Sequence, residues 1–389
     1  MRSRSAGPWV LSGIFPVRAR LYSPSFRSTF SLPFMADADS APDLPRRAFL
    51  RHTTAGAAAL GVGTASEVSA VPATDTPFMK QSAELRRELV ACLGGEWPAS
   101  CPLDPQPRET MQKEGYRIES LTYQVETGDR VPALLLVPDG VDEATPAAAI
   151  AVWHQHNGEY HLGKSEPAGL AGSPMHHTGV ALAREGYVVL CPDALCFEER
   201  QDPTKRLRGG HYERFEFLRY VVEGRCMAWK NILDMRRAID YLASLPEVDE
   251  GRLGCYGHSM GSTHTWLLGP HEPRLKALVG NCCLPTYAAI HDKKLLHCFP
   301  NFVPGWQRFG DTPEMAALIA PRALHLNLGE DDAGSPIDHA REGVRRIAAA
   351  YRDAGVPDQF THYIQDRTGH VLSPEMWAKT RAFFAKHLA

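Results

Sequence analysis

The sequence predicts an α/β fold, a mostly parallel twisted sheet with helices on both faces and an antiparallel hairpin at its N-terminal edge. Three observations lead to it. From residue 148 to the end, short and wholly apolar strand-like runs alternate with amphipathic helices, the pattern of strands buried on both faces. Two longer strand-like runs precede them, separated by a turn. No repeat or low-complexity linker interrupts the chain beyond residue 75, so residues 71–389 read as a single domain.

Each element has its own justification. Residues 78–93 read as a helix, with Leu85, Leu89, Val90 and Leu93 on one face and Gly94-Gly95 as the stop. Residues 116–125 and 131–137 read as strands, and Glu126-Thr127-Gly128-Asp129 between them is a hairpin signal. The remaining strands are expected at 148–153, 187–191, 252–257, 276–281, 322–328 and 359–364. Helices are expected near 175–186, 227–244, 261–269, 336–353 and 374–388. Within 227–244, Ile232, Met235, Ile239 and Leu242 recur at steps of three and four, a stripe that faces a sheet.

Composition excludes several classes. With 44% hydrophobic and 22% charged residues the 389-residue chain is ordinary for a globular protein. A net charge of −3 gives no electrostatic case for a nucleic-acid partner. No run of 18 apolar residues exists, so no spanning helix is expected.

The first 70 residues read as a targeting segment. Pro45-Arg46-Arg47-Ala48-Phe49-Leu50-Arg51 resembles the twin-arginine export signature. A short Ala/Gly-rich apolar stretch, 55–63, follows, and then Val68-Ser69-Ala70, small residues suited to signal-peptidase cleavage. Export to the periplasm or medium is the expectation. Met35 fits as the start, with residues 1–34 left untranslated; an N-terminal peptide from 1–34 in the native protein would contradict this. Beyond residue 70 the chain holds 34 basic and 41 acidic residues, a net −7.

All nine cysteines lie beyond residue 90, without a CxxC pair. Their spacing reads neither as a zinc cage nor as a complete disulfide framework. Cys92 and Cys101 are the one expected local bridge.

Two segments break the alternation, 196–225 and 284–312, both after strand C-termini, where ligands bind in open α/β sheets. They are expected to act as lids or pocket walls. In the first, Glu199 and Arg200 are candidates to contact a polar, sugar-like substrate. In the second, Phe299, Phe302 and Trp306 suit stacking on a ring.

The chemistry gathers at strand ends. Gly257-His258-Ser259-Met260-Gly261 matches G-x-S-x-G and sits between a strand and an apolar helix, the context of a nucleophile elbow. There the hydroxyl of Ser259 would stand at a helix N-terminus, which favours developing negative charge. A serine needs a base to take its proton, and His370 follows the last strand. Its orienting acid is expected after strand 322–328, where Glu330, Asp331 and Asp332 stand in a row. The order Ser, acid, His is that of α/β-hydrolases. His154 and His156, alternate residues at a strand end, also read as a weak pair of metal ligands, and no metal or cofactor is expected.

From about residue 115 the chain resembles the dienelactone-hydrolase-like and acetyl-xylan-esterase-like branch of the α/β-hydrolases. The resemblance implies the α/β-hydrolase fold and a serine hydrolase that cleaves a carboxylic ester, on an acetylated carbohydrate or another small polar ester. In that branch the acid sits in G-x-x-D-x-x-x-P, matched by Gly329, Asp332 and Pro336; this implies Asp332, with Asp331 in reserve. Dienelactone hydrolases themselves carry Cys at the elbow, where this chain has Ser259. The oxyanion hole is expected from the backbone N–H groups of Met260 and His156, the latter in the loop after strand 148–153. Gln155 stands there where relatives carry Gly and is a further candidate for the substrate. The segment 163–170 is similar to a stretch that shapes the pocket rim in some relatives. Two other readings remain open, a peptidase of the prolyl-oligopeptidase type and a binding protein on the same fold.

Overall fold

Nine strands join in one sheet in the computed structural model, which describes residues 77–389. All of these lie in the compact unit Ser69–Ala389; the expected targeting segment lies outside the described residues. The strands are β1 (Gln106–Lys113), β2 (Tyr116–Glu126), β3 (Asp129–Pro138), β4 (Ala147–Trp153), β5 (Val188–Pro192), β6 (Val248–His258), β7 (Leu275–Asn281), β8 (Ala323–Gly329) and β9 (Phe360–Gln365). Their spatial order is β1-β2-β3-β5-β4-β6-β7-β8-β9. Pairing is antiparallel from β1 through to β5 and parallel from there to β9.

The order reverses at β4. The chain leaves it to build β5 on one side and returns to build β6 on the other. Such a switch point opens a crevice at the strand C-termini, here at Trp153 of β4 and Gly257 of β6, which are paired across the sheet.

The helices are α1 (Pro77–Leu93), α2 (Thr178–Ala183), α3 (Gly210–Val222), α4 (Met227–Ala243), α5 (Met260–Leu268), α6 (Tyr287–Lys293), α7 (Thr312–Ala317), α8 (Ile337–Asp353) and α9 (Pro374–His387). One core cluster joins the sheet residues Ile118, Leu136, Ile150, Val189 and Val279 to Leu182 of α2 and Met376 and Phe384 of α9. Ile232, Met235, Ile239 and Leu242 of α4 are buried, as the helical spacing predicts.

Three features depart from expectation. β1 was not predicted: its sequence, QPRETMQK, is exposed almost throughout, so it has no apolar period to read. It suits a sheet edge, where charged side chains discourage pairing with other chains. The expected helix near 175–186 divides into a 3-10 turn, Pro174–His176, and the short α2. Cys92 and Cys101 are not bridged; all nine thiols are free. Cys92 lies in the last turn of α1 beside Arg308, whereas the Cys101 sulfur receives the Gln124 amide at 3.6 Å, so the two thiols answer to different neighbours.

Candidate active site

Ser259 is the single residue between β6 and α5. It stands at φ 57°, ψ −117°, a region that side-chain-bearing residues occupy only under constraint. Missing side chains allow the turn. A Cβ at Gly257 would lie 2.0 Å from the Gly261 carbonyl oxygen, and one at Gly261 would lie 2.1 Å from that of Trp153. Strand end, helix start and the end of β4 are therefore pressed together, backbone to backbone. The Ser259 N–H donates to the Asn281 carbonyl at 2.8 Å, which fixes the backbone from which Oγ projects.

His370 Nε2 lies 2.8 Å from Ser259 Oγ. His370 Nδ1 lies 2.8 Å from Asp332 Oδ2. With Nδ1–H donating to the carboxylate, Nε2 is left free to accept the hydroxyl proton. Asp332 is buried and Asp331 exposed, so the structure brings Asp332 to the histidine and turns Asp331 outward. The other Asp332 oxygen accepts the Gly334 N–H at 2.9 Å. Gly329 lets the two loops meet: a Cβ there would lie 2.3 Å from the Gly369 carbonyl oxygen. The Asp331 N–H closes the contact by donating to the Thr368 carbonyl at 2.8 Å.

Met260 opens α5, so its N–H has no partner within the helix. His156 lies three residues past Trp153, as Met260 lies three past Gly257, and Trp153 and Gly257 are neighbours. The Gly261 contact with the Trp153 carbonyl sets the loop 154–158 against the start of α5.

Comparison with known proteins bears on this geometry. The dienelactone hydrolase family matches residues 165–293. A Bacillus subtilis (strain 168) protein named "Putative hydrolase YtaP" is 27% identical over 294 residues, covering 74% of this chain and 93% of its own length. Among solved structures, "a putative acetyl xylan esterase" from Bacteroides fragilis NCTC 9343 superposes with a TM-score of 0.61 at 17% identity, over 76% of this chain and 77% of that one. A glucuronoyl esterase from Solibacter usitatus gives a TM-score of 0.58 at 16% identity, over 78% and 92%. The chain has the α/β-hydrolase fold. Its resemblance is to the dienelactone hydrolase family over residues 165–293 and, in fold, to the structure named acetyl xylan esterase.

In this fold the other expected substrate residues are engaged in internal contacts. Arg200 is buried, 2.6 Å from Asp234 and 3.7 Å from Asp129, so its charge is matched internally. Glu199 is exposed but paired, 2.8 Å from Lys164 and 2.5 Å from Arg108. Gln155 is buried and donates to Glu166 at 3.0 Å. Trp306 is fully buried, with its indole N–H on the Asp311 carbonyl at 2.8 Å, and cannot stack on a sugar. Phe299 stacks on Phe217 at 4.6 Å, and Phe302 is half-buried. The segment 163–170 serves as an internal anchor as much as a rim: the Lys164 ammonium sits 2.6–2.9 Å from carboxylate oxygens of Asp193, Glu198 and Glu199. That ammonium fills the one acidic group among the described residues with metal-like spacing. His154 and His156 form no ligand pair: His154 uses both ring nitrogens on the Gln155 carbonyl at 2.7 Å and the Ala194 N–H at 3.0 Å, while the His156 ring turns to Glu213.

The structure adds residues that sequence reasoning missed. The His258 ring lies 5.2 Å from that of His370 and 4.7 Å from that of His176. The signals were present, a histidine inside G-x-S-x-G and the doublet His176-His177, but neither spacing says which rings meet. His297, from the second excursion, bonds the Gly334 carbonyl of the acid loop at 3.2 Å and Asn301 at 2.9 Å.

Burial holds several imidazoles neutral. The pKa of His154 is lowered to about 4 and that of His264 to about 3, and His258 is held well below the ordinary value, all chiefly by desolvation. Unfolded, such groups take a proton near pH 6.5. Their stabilising contribution is therefore whole above that pH and is lost as pH falls toward 4, by about 1.4 kcal/mol per group per pH unit. Urea unfolding at pH 7 and pH 4.5 is expected to give a clearly lower stability at 4.5, with a shallower decline in His264→Gln. Equal stability at both pH values would contradict the burial argument.

Proposed function

We propose that this hydrolase is a serine esterase that cleaves a carboxylic ester, with an acylated carbohydrate as the favoured substrate class, through an acyl-enzyme. The observation that carries the reading is the unbroken line from Ser259 Oγ to His370 to Asp332, 2.8 Å at each step, set on a strained elbow.

In the first step His370 Nε2 takes the Ser259 proton as Oγ bonds to the ester carbonyl carbon. The carbonyl oxygen becomes an oxyanion, received by the N–H groups of Met260 and His156. Asp332 stabilises the imidazolium and holds its tautomer. Collapse breaks the bond to the alcohol oxygen, which leaves with the proton from Nε2. Water then gives a proton to Nε2 as it attacks the acyl carbon. As the bond to Oγ breaks, Nε2 returns its proton to Oγ, which frees the acid and restores Ser259 and His370. His370 is exposed, so substrate and water can reach it.

The carbohydrate part draws support from structures of the same fold that carry the names acetyl xylan esterase and glucuronoyl esterase. The test is a panel: acetylated xylan and acetyl sugars, uronate esters, short and long aryl esters, and a peptide amide. Preference for a sugar ester in kcat/KM supports the reading. Faster cleavage of the amide, or of long aryl esters alone, contradicts it.

A further inference from the structure

We infer that Glu213 is a positioning residue for acyl transfer: its carboxylate clamps the His156 ring and so fixes the loop whose N–H receives the oxyanion. The inference rests on the role given to His156 above.

Glu213 lies in the first turn of α3, inside the excursion 196–225, and is 1% exposed. A carboxylate taken out of water is costly unless its oxygens are used. Here they are used by the oxyanion loop. His156 Nε2 is 3.0 Å from one oxygen and 3.2 Å from the other, and the Tyr160 hydroxyl donates at 2.6 Å. No Lys or Arg pairs with Glu213 among the described ion pairs.

The second ring nitrogen identifies the tautomer. His156 Nδ1 accepts the Gly158 N–H at 2.9 Å, so the proton is on Nε2 and points at Glu213. The imidazole is held at both ends, by the excursion helix and by its own turn. Tyr160 is fixed in the same way: its ring stacks on Phe197 at 5.0 Å, and a Cβ at Gly209 would come within 3.0 Å of it. The His156 ring stands edge-on to both, 5.1 Å from Tyr160 and 5.0 Å from Phe197. The backbone of His156 therefore cannot rotate far without straining a half-buried hydrogen bond to the carboxylate. Oxyanion donors act only when held where charge develops, and a shift of about 1 Å costs orders of magnitude in rate.

The test uses the full chain with Glu213→Ala, Glu213→Gln and Tyr160→Phe, beside wild type and Ser259→Ala. Two quantities are read: kcat and KM on the best ester of the panel, and inhibition by a trifluoromethyl ketone, which adds to the serine as a tetrahedral oxyanion. Glu213→Ala is expected to lower kcat about 10- to 100-fold with KM nearly unchanged, and to weaken the ketone by the same factor. Glu213→Gln keeps an acceptor for the Nε2 proton and should recover most of the loss. Tyr160→Phe should fall between the two. A folded Glu213→Ala with unchanged kcat and ketone affinity overturns the inference, as does a rise in KM alone. If Glu213→Ala does not fold, Tyr160→Phe decides by the same two readings: lower kcat with weaker ketone inhibition supports the inference, and wild-type values of both overturn it. Failure of the esterase reading itself is distinguishable, because Ser259→Ala would then match wild type.

Discussion

Replacing Ser259 by alanine is expected to lower kcat by about 10⁴- to 10⁶-fold on every ester the protein cleaves, leaving KM and the melting temperature close to wild type. The size follows from the chemistry: without Oγ there is no atom to carry the acyl group, and residual turnover comes only from water in a site that still binds the oxyanion. The fold should hold, because the elbow rests on backbone contacts. The Ser259 N–H on Asn281 and the close approaches of Gly257 and Gly261 do not involve the hydroxyl. Steady-state kinetics with parallel melting curves checks both halves. Wild-type turnover in the variant would remove Ser259 from the reaction.

Asp332→Asn is expected to cost about 10⁴-fold in kcat, whereas Asp331→Asn should change it less than about twofold. An amide at 332 still reaches His370 but favours the wrong tautomer, placing the proton on Nε2, where the serine must give one up. It also removes the charge that stabilises the imidazolium. Asp331 is exposed and uses its backbone to hold the histidine loop, so losing its charge leaves that hydrogen bond intact. Kinetics of the two variants side by side is the check. Equal losses, or a larger one at 331, would contradict the assignment.

The parts of the site that could be read in sequence are those fixed by local chemistry. A nucleophile elbow needs glycines two residues before and two after the serine because backbones meet there, and Gly257 and Gly261 show why. The acid loop likewise needs Gly329 where it touches Gly369. The α4 stripe was legible because burial of one helix face leaves a period in the sequence. Where contacts are decided by distant partners, sequence says less. Arg200, Glu199 and Trp306, charged or aromatic in an excursion, and Gln155, polar in the loop after β4, look like substrate residues, yet Asp234, Lys164, the Asp311 carbonyl and Glu166 engage them. Glu213 went unnoticed for the converse reason: it meets His156 across 57 positions of sequence, and no spacing rule spans that distance.

This division extends to the two excursions. Expected as lids or pocket walls, both also touch the loops of the candidate site: α3 through Glu213 to His156, and His297 through the Gly334 carbonyl to the acid loop. The strands supply the loops, and the excursions hold them in place.

The proposed reaction requires that Ser259 carry the acyl group during turnover. The most direct measurement mixes the protein with an aryl ester, quenches in acid within the first turnover, and maps the peptides by mass spectrometry. The expected result is that the peptide containing Ser259 gains the mass of the acyl group and loses it on further incubation with water. Hydrolysis without that modification, or an acyl group found on another residue, would contradict it.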